Sequence, residues 1–408
     1  MSRYGIGGSS IDKELNAITP IAHLAKPIEK EEFKSRIEKA CKMMKTQNIE
    51  AMYLNAGTNL YYFTGTRWNS SERMVGAILY SNTSLEYIAP EFEIGTILDF
   101  MLIEGKVNSW QEHESPYALF SKLLAGRGIG AGSVYMDETT PFFITNGILK
   151  CNPKLDLIDA KPITSGCRMI KSKAEIDIIK IAMDITLEVQ KAAARILKVG
   201  ISAKAVTDFI HEAHKRYGIN SGSYFCIVLF GEDTAFPHGV KHPKHLKEND
   251  IVLIDTGCKL QDYISDITRT YSFGNPTDYQ KRIWNIEKET QLAAFKAITL
   301  GNTCGAIDKA SRRVLEFHDL GPDYKLPGLP HRTGHGIGLD IHEWPYIVDN
   351  DDTILKSGLC FSIEPMICVP NQFGIRLEDH VYIKDNKPYW FTEPMYSIEN
   401  PFGIRERS

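Results

Sequence analysis

No stretch of this 408-residue chain approaches 18 uninterrupted apolar residues, so no transmembrane helix is expected. The opening MSRYGIGGSS has no apolar run and cannot serve as a secretory signal. The eight cysteines are scattered with no CxxC pair, and they read as reduced, mostly buried thiols of a cytoplasmic protein. Basic charge is not in excess: the formal net charge is −4, which gives no sequence-wide field for nucleic acid. Neither GxxxxGKS nor GxxxxGKT occurs, and GIGAG at 128–132 is a lone glycine turn, so a nucleotide site has little support.

What remains is an ordinary globular composition, 43% hydrophobic and 24% charged, at a length that suits two or three domains. The first 25 residues read as a loosely ordered arm, followed by an amphipathic helix over about Lys30 to Thr46. Apolar runs at Ala51–Leu54, Val75–Tyr80, Leu85–Ala89 and Val134–Met136 predict strands alternating with helices, hence an α/β domain up to about residue 165. Ser172, three residues before Glu175, forms a capping box. Behind it, Ile178, Ala182, Ile185, Val189 and Ile196 repeat at helical spacing. The boundary is placed at 162–172, giving domains 1–165 and 166–408. KVGISAKAV (198–206) and TLGNTCGAI (299–307) both read as helix end, glycine, cap and new helix, which hints at two similar halves.

The chemistry concentrates in four places. IVLIDTG and YISDITRT set Asp255 and Asp266 into apolar strands. Aspartate is unfavourable in a strand and costly to bury without a partner. Each alone could bond backbone or Arg269. FSIEPMICVP and FGIRLEDHVYI are apolar strands interrupted by Glu364 and Glu378. HRTGHGIGLDIHE, 331–343, brings three histidines and three glycines together. His331 and His335 have the spacing of a helical zinc motif, but Gly334, Gly336 and Gly338 disfavour a helix there. Four clustered carboxylates carry −4, and two divalent ions would neutralise them where one would leave an expensive residue of charge. A donor set of carboxylates and imidazole favours Mn²⁺, with Co²⁺, Zn²⁺ or Fe²⁺ as alternatives. Two such ions can share a water and lower its pKa, which points to a hydrolase.

DTG with SDITRT, TGHGIGLDIHE, SIEP and RLEDH, in that order, resemble the M24 metallopeptidases of the creatinase, prolidase and aminopeptidase P branch. NLYYFTG (59–65) and ERMVGAILY (72–80) resemble that branch's N-terminal domain. The resemblance spans essentially the whole chain. It implies a creatinase-type, RNase H-like α/β N-terminal domain and an α+β pita-bread catalytic domain. It further implies that Asp255 binds one metal, that Asp266 and Glu378 bridge both, and that His335 and Glu364 complete the other site. Glu364 would be the acid/base, acting with a metal-bridging hydroxide on an Xaa-Pro bond. His342 would stabilise the oxyanion, and His238 and His331 would meet the substrate. Arg376 would organise the site or pair with Asp255 or Asp379. Arg67 or Trp68 would cap the substrate, in a homodimer whose N-terminal domain approaches its partner's site. His331 and Trp344–Ile347 would line a proline pocket, with plain packing the alternative for Trp344 and Tyr346, and His242 and His245 read as surface residues. The implied activity is an Xaa-Pro dipeptidase or aminopeptidase. The alternatives are a creatinase-like or ectoine-derivative hydrolase of non-peptide C–N bonds, and a binding protein with a retired site. The intact ligand set argues against the last.

Overall fold

The structure, a computed structural model, describes residues 4–404. The chain divides into two compact units, Ile28–Arg168 and Met1–Pro27 with Met169–Ser408.

The first unit is built on a mixed six-stranded sheet. Its strands are β1 (Ala51–Asn55), β2 (Gly76–Tyr80), β3 (Leu85–Pro90), β4 (Lys106–Trp110), β5 (Gly132–Met136) and β6 (Leu155–Asp159). Their order is β4-β3-β2-β1-β5-β6. Strands β1, β2 and β3 are buried along their whole length, which is why they read as continuous apolar runs. The edge strands β4 (KVNSW) and β6 (LDLID) escaped the sequence reading because each is half exposed and correspondingly polar. Helices Pro116–Gly126 and Phe142–Cys151 press Phe120, Leu124, Ile144 and Ile148 onto Tyr53, Ile78 and Val134. The amphipathic helix runs over Lys30–Thr46 as its spacing predicts.

In the second unit, β8 (Ile251–Leu260) lies between β7 (Ser223–Phe230) and β10 (Ile267–Ser272), with the short β9 (Tyr263–Ile264) paired to β8. A five-stranded sheet has the order β12-β11-β13-β16-β17: Glu343–Ile347, Gly334–Gly336, Cys360–Ile363, Asp379–Lys384 and Lys387–Trp390. β14 (Met366–Val369) and β15 (Phe373–Arg376) form a separate two-stranded hairpin. Helix Lys173–Arg195 starts at the Ser172–Glu175 capping box, with both reciprocal bonds made. The two glycine segments repeat in detail. Gly200 and Gly301 both take positive φ, and Ser202 and Thr303 cap the helices that follow. Gly200 N–H donates to Leu246 and Gly301 N–H to Leu355, at 2.8 and 3.4 Å.

The reading of the first residues as a loose arm of the first domain is overturned for those the structure describes. They belong to the second unit and carry their own anchors. Gly7 N–H donates to the Ala194 carbonyl at 2.9 Å, Ala22 N–H donates to Tyr217 at 3.1 Å, and Glu14 pairs with Arg195 at 2.7 Å.

One core histidine of this unit makes stability depend on pH. His214 is fully buried, with one ring nitrogen near Ile210 O and Ser223 Oγ and the other 3.3 Å from Thr186 Oγ1. Burial pushes its pKa down to about 3. The unfolded chain takes up this proton below about 6.5, while the fold refuses it until about 3, so stability is lost as pH falls through that window. His214→Gln should flatten the pH dependence of urea unfolding of the metal-free protein by up to about 1.4 kcal/mol per pH unit. An unchanged slope would contradict this.

Candidate active site

The sequence places four acids in or beside apolar strands, and the fold gives the placement a common geometry. Asp266 lies in the break between β9 and β10, Glu364 in the break between β13 and β14, and Glu378 in the break between β15 and β16. A strand break turns the chain and lets one side chain leave the sheet's alternation. Asp255 sits within β8, opposite Thr268 of β10. His335 comes from β11, where Gly334 and Gly336 are required by close approach. A Cβ on Gly334 would meet Ser362 O at 2.0 Å, and one on Gly336 would meet Glu343 O at 2.8 Å. The segment is a strand and not a helix, so His331 and His335 do not act as a helical pair.

These elements converge on one buried cluster. His335 Nε2 is 3.0 Å from Glu364 Oε1 and 3.8 Å from Asp266 Oδ2. Thr268 Oγ1 donates to Glu378 Oε2 at 2.6 Å and accepts from Arg376 Nε at 3.0 Å. Arg376 also pairs with Asp255 Oδ2 and donates to the Pro237 carbonyl. One donor atom from each of Asp266, His335, Glu378 and His380 lies within 4.8 Å of the others.

The electrostatics are those of a site short of positive charge. Burial, reinforced by Glu378 and Asp255, pushes the Asp266 carboxyl well above the usual range. Burial and Glu364 do the same to Glu378, and burial raises Asp255 against the pull of Arg376. Glu364 goes the other way: burial would raise it, but His335, His331 and Arg376 together hold it down. Asp255 Oδ1, Asp266 Oδ1 and Glu378 Oε1 are buried with no hydrogen-bond partner. Buried carboxylate oxygens are rarely left so, because desolvation is then uncompensated. Divalent cations would satisfy all three, and the donors present are the oxygens and imidazoles such ions take.

Comparison with known proteins identifies the family. Residues 177–385 match metallopeptidase family M24, and residues 36–170 match the creatinase/prolidase N-terminal domain. The chain belongs to metallopeptidase family M24. It is 30% identical over 356 residues to the uncharacterized peptidase SH1217 of Staphylococcus haemolyticus, covering 86% of this chain and 97% of that one. A recombinant prolidase from Thermococcus sibiricus is 30% identical with a TM-score of 0.78, over 88% of this chain and 97% of its own. Dipeptidase PepE from Mycobacterium ulcerans is 27% identical with a TM-score of 0.83, over 90% and 97%. The two units are thus a creatinase-type N-terminal domain and an M24 catalytic domain of the pita-bread fold.

Around the M24 cluster the other expected residues take distinct places. The His342 ring lies 4.3 Å from His335, centre to centre, and its pKa is lowered by burial of its inner side and by His335. The His331 Nδ1 edge faces the Arg332 carbonyl, while its buried Nε2 has no partner. His238 is exposed, next to Pro237, whose carbonyl Arg376 holds. His242 and His245 are exposed. Trp344 and Tyr346 are half-buried in β12, with Arg332 over the Tyr346 ring. Arg67 and Trp68 belong to the first unit, where Arg67 lies over Tyr61 and Trp68 meets Phe100 edge to face. Arg269, weighed as a partner for Asp255 or Asp266, instead pairs with Asp379 at 2.7 Å.

Sequence reasoning missed His380. It is fully buried in β16, two residues after Glu378, and neither ring nitrogen makes a well-formed hydrogen bond. Burial, with His335 nearby, pushes its pKa down to about 3. The signal was a histidine inside the apolar run EDHVYI, which the stronger pattern of acids obscured. Asp308 was also passed over. Its carboxylate accepts from Thr333 N–H and Oγ1 at 3.2 and 2.7 Å and from Arg312 at 2.8 Å, which fixes the chain two residues before His335.

Proposed function

We propose that this M24 peptidase hydrolyses the Xaa-Pro bond of dipeptides, using two divalent ions. The observation that carries the reading is the trio of buried, unpartnered oxygens on Asp255, Asp266 and Glu378, two of these residues being gathered with His335. The prolidase and dipeptidase named above support a dipeptide substrate over a longer one. Asp255, Asp266, His335, Glu364 and Glu378 would hold the ions, with Mn²⁺ the first candidate and Co²⁺, Zn²⁺ and Fe²⁺ the others. When bound, the ions supply a water of lowered pKa and a Lewis acid.

The chain's own groups do the rest. Glu364 is held ionised and so can accept a proton as attack begins, then deliver it to the departing proline nitrogen. His342, neutral at pH 7, donates a ring N–H to the developing oxyanion. His331 offers its unpartnered Nε2 to the substrate, and His238 reaches it from the exposed side. Arg376 orients Asp255 and the His238 loop together. An Xaa-Pro bond has no N–H and a fixed φ, so a site that grips the ring, with Trp344 and Tyr346 as candidate walls, has no need of strand-like pairing.

A substrate panel tests this after metal stripping and Mn²⁺ or Co²⁺ reconstitution: Ala-Pro, Ala-Pro-Ala, Ala-Ala, creatine and an acetylated diamino acid. Cleavage of Ala-Pro alone is expected. Cleavage of the tripeptide as well would make the protein an aminopeptidase P. Turnover of creatine or the acetylated compound without the peptides would overturn the peptide assignment.

A further inference from the structure

Two histidines of the catalytic unit are equally buried and differently treated. His214 has a polar group near each ring nitrogen. That is the ordinary state of a core histidine, because an unpaired ring nitrogen forfeits its hydration for nothing. His380 is just as buried, yet neither nitrogen makes a well-formed hydrogen bond, the ring only approaching the Asp266 backbone. It is also the histidine whose ring nitrogen lies within 4.8 Å of donor atoms on Asp266, His335 and Glu378. Its ring centre is 5.8 Å from that of His335. Backbone register gives the position a cause. Asp379 and His380 are successive residues of β16 and so point to opposite faces. Asp379 is bound to Arg269 and Gln291 on one side, which leaves His380 on the face opposite.

We propose that His380 is a further metal ligand, an imidazole donor to the ion held by Asp266, His335 and Glu378. This rests on the two-ion reading above and refines it. With His335 it makes one position rich in nitrogen, while the position served by Asp255 and the shared acids remains all-oxygen. Imidazole suits Zn²⁺, Fe²⁺ and other borderline ions, and carboxylates suit Mn²⁺. The two positions therefore differ in metal preference: a borderline ion sits beside His335 and His380, and Mn²⁺ fits the other.

The test uses the full-length protein, stripped by chelation and then equilibrated with Zn²⁺ and Mn²⁺ together. Bound metal is counted by mass spectrometry, and Co²⁺ loading is followed in the visible spectrum. Wild type is expected to hold two ions, one position preferring Zn²⁺. His380→Phe should weaken Zn²⁺ there by about 100-fold or more, beyond the 10–100-fold typical of groups that only support a ligand. His380→Asn, which keeps a polar donor of the oxygen type, should shift the Zn²⁺ to Mn²⁺ ratio toward Mn²⁺ by about tenfold or more and change the Co²⁺ spectrum. Urea unfolding of the metal-free variants checks that they fold. X-ray absorption of the zinc-loaded wild type needs no variant at all: it should count two imidazoles per chain rather than one. One imidazole, or folded variants with wild-type affinity, ratio and spectrum, would overturn the role of His380 and leave the two-ion site standing. A wild-type protein that binds no ion would overturn both.

Discussion

Asp266→Asn is expected to abolish metal-dependent hydrolysis while leaving the metal-free protein as stable as wild type, or more so. Asp266 is buried, its Oδ1 has no partner, and the Glu378 and Asp255 carboxylates crowd it. In the proposed site it would be one of the residues that hold the ions, so its loss would weaken their binding. Metal ions contribute several kcal/mol to such reactions, and every 1.36 kcal/mol is tenfold in rate, so kcat/KM for Ala-Pro should fall by about 10³-fold or more. Bound metal per chain should fall with it. The stability arm has the opposite sign. A carboxyl whose folded pKa is raised contributes stability below its unfolded pKa and loses it as pH rises through the raised value. Asparagine has no such loss, so the variant's advantage in the absence of metal should grow with pH. Urea unfolding in chelator at pH 5 and pH 8 reads this directly. A variant with normal metal content and activity would remove Asp266 from the site, and a variant much less stable without metal would make its role structural.

Arg269→Met should cost about 3–5 kcal/mol of stability, the range for removing one partner of a buried ion pair. Arg269 is fully buried and donates to the carbonyls of Thr268, Glu378 and Glu393 and to Asp379 Oδ1. It therefore ties β10, of one sheet, to β16, of the other, directly behind Glu378. Met matches the length of the side chain and offers none of the bonds, which leaves the Asp379 carboxylate buried with Gln291 and Thr392 as hydrogen-bond donors and only the more distant charge of Lys288. The double variant Arg269→Met, Asp379→Leu should recover much of the loss, because no charge is then stranded. Recovery of stability without recovery of metal affinity would show that the pair also sets the position of Glu378. A loss under about 1 kcal/mol in the single variant, the scale of an exposed pair, would contradict the account.

The buried cluster of acids was visible in the sequence through contrast. Asp255, Asp266, Glu364 and Glu378 each interrupt an apolar strand, and burying a charge there demands a compensating reason. The glycines around His335 were legible as a bar to helix, and their cause, the Ser362 and Glu343 carbonyls, is tertiary and was not. Ser172 with Glu175 is a local signal and needs only four residues to be read. What stayed hidden depends on distant partners. Nothing near Arg269 in sequence points to Asp379, 110 residues away. The edge strands β4 and β6 carry too little apolar content to stand out from loop. His380 looks like any strand histidine until its neighbours are known.

The proposed activity is metal-dependent Xaa-Pro hydrolysis, which would rest on Asp255, Asp266, His335, Glu364 and Glu378. The measurement that bears on it most directly is Ala-Pro hydrolysis on one sample before chelation, after chelation and after metal is restored, with bound metal counted at each stage. Activity that disappears with the ions and returns as two ions per chain rebind is the predicted result. Chelated, metal-free protein that cleaves Ala-Pro at the original rate would contradict it.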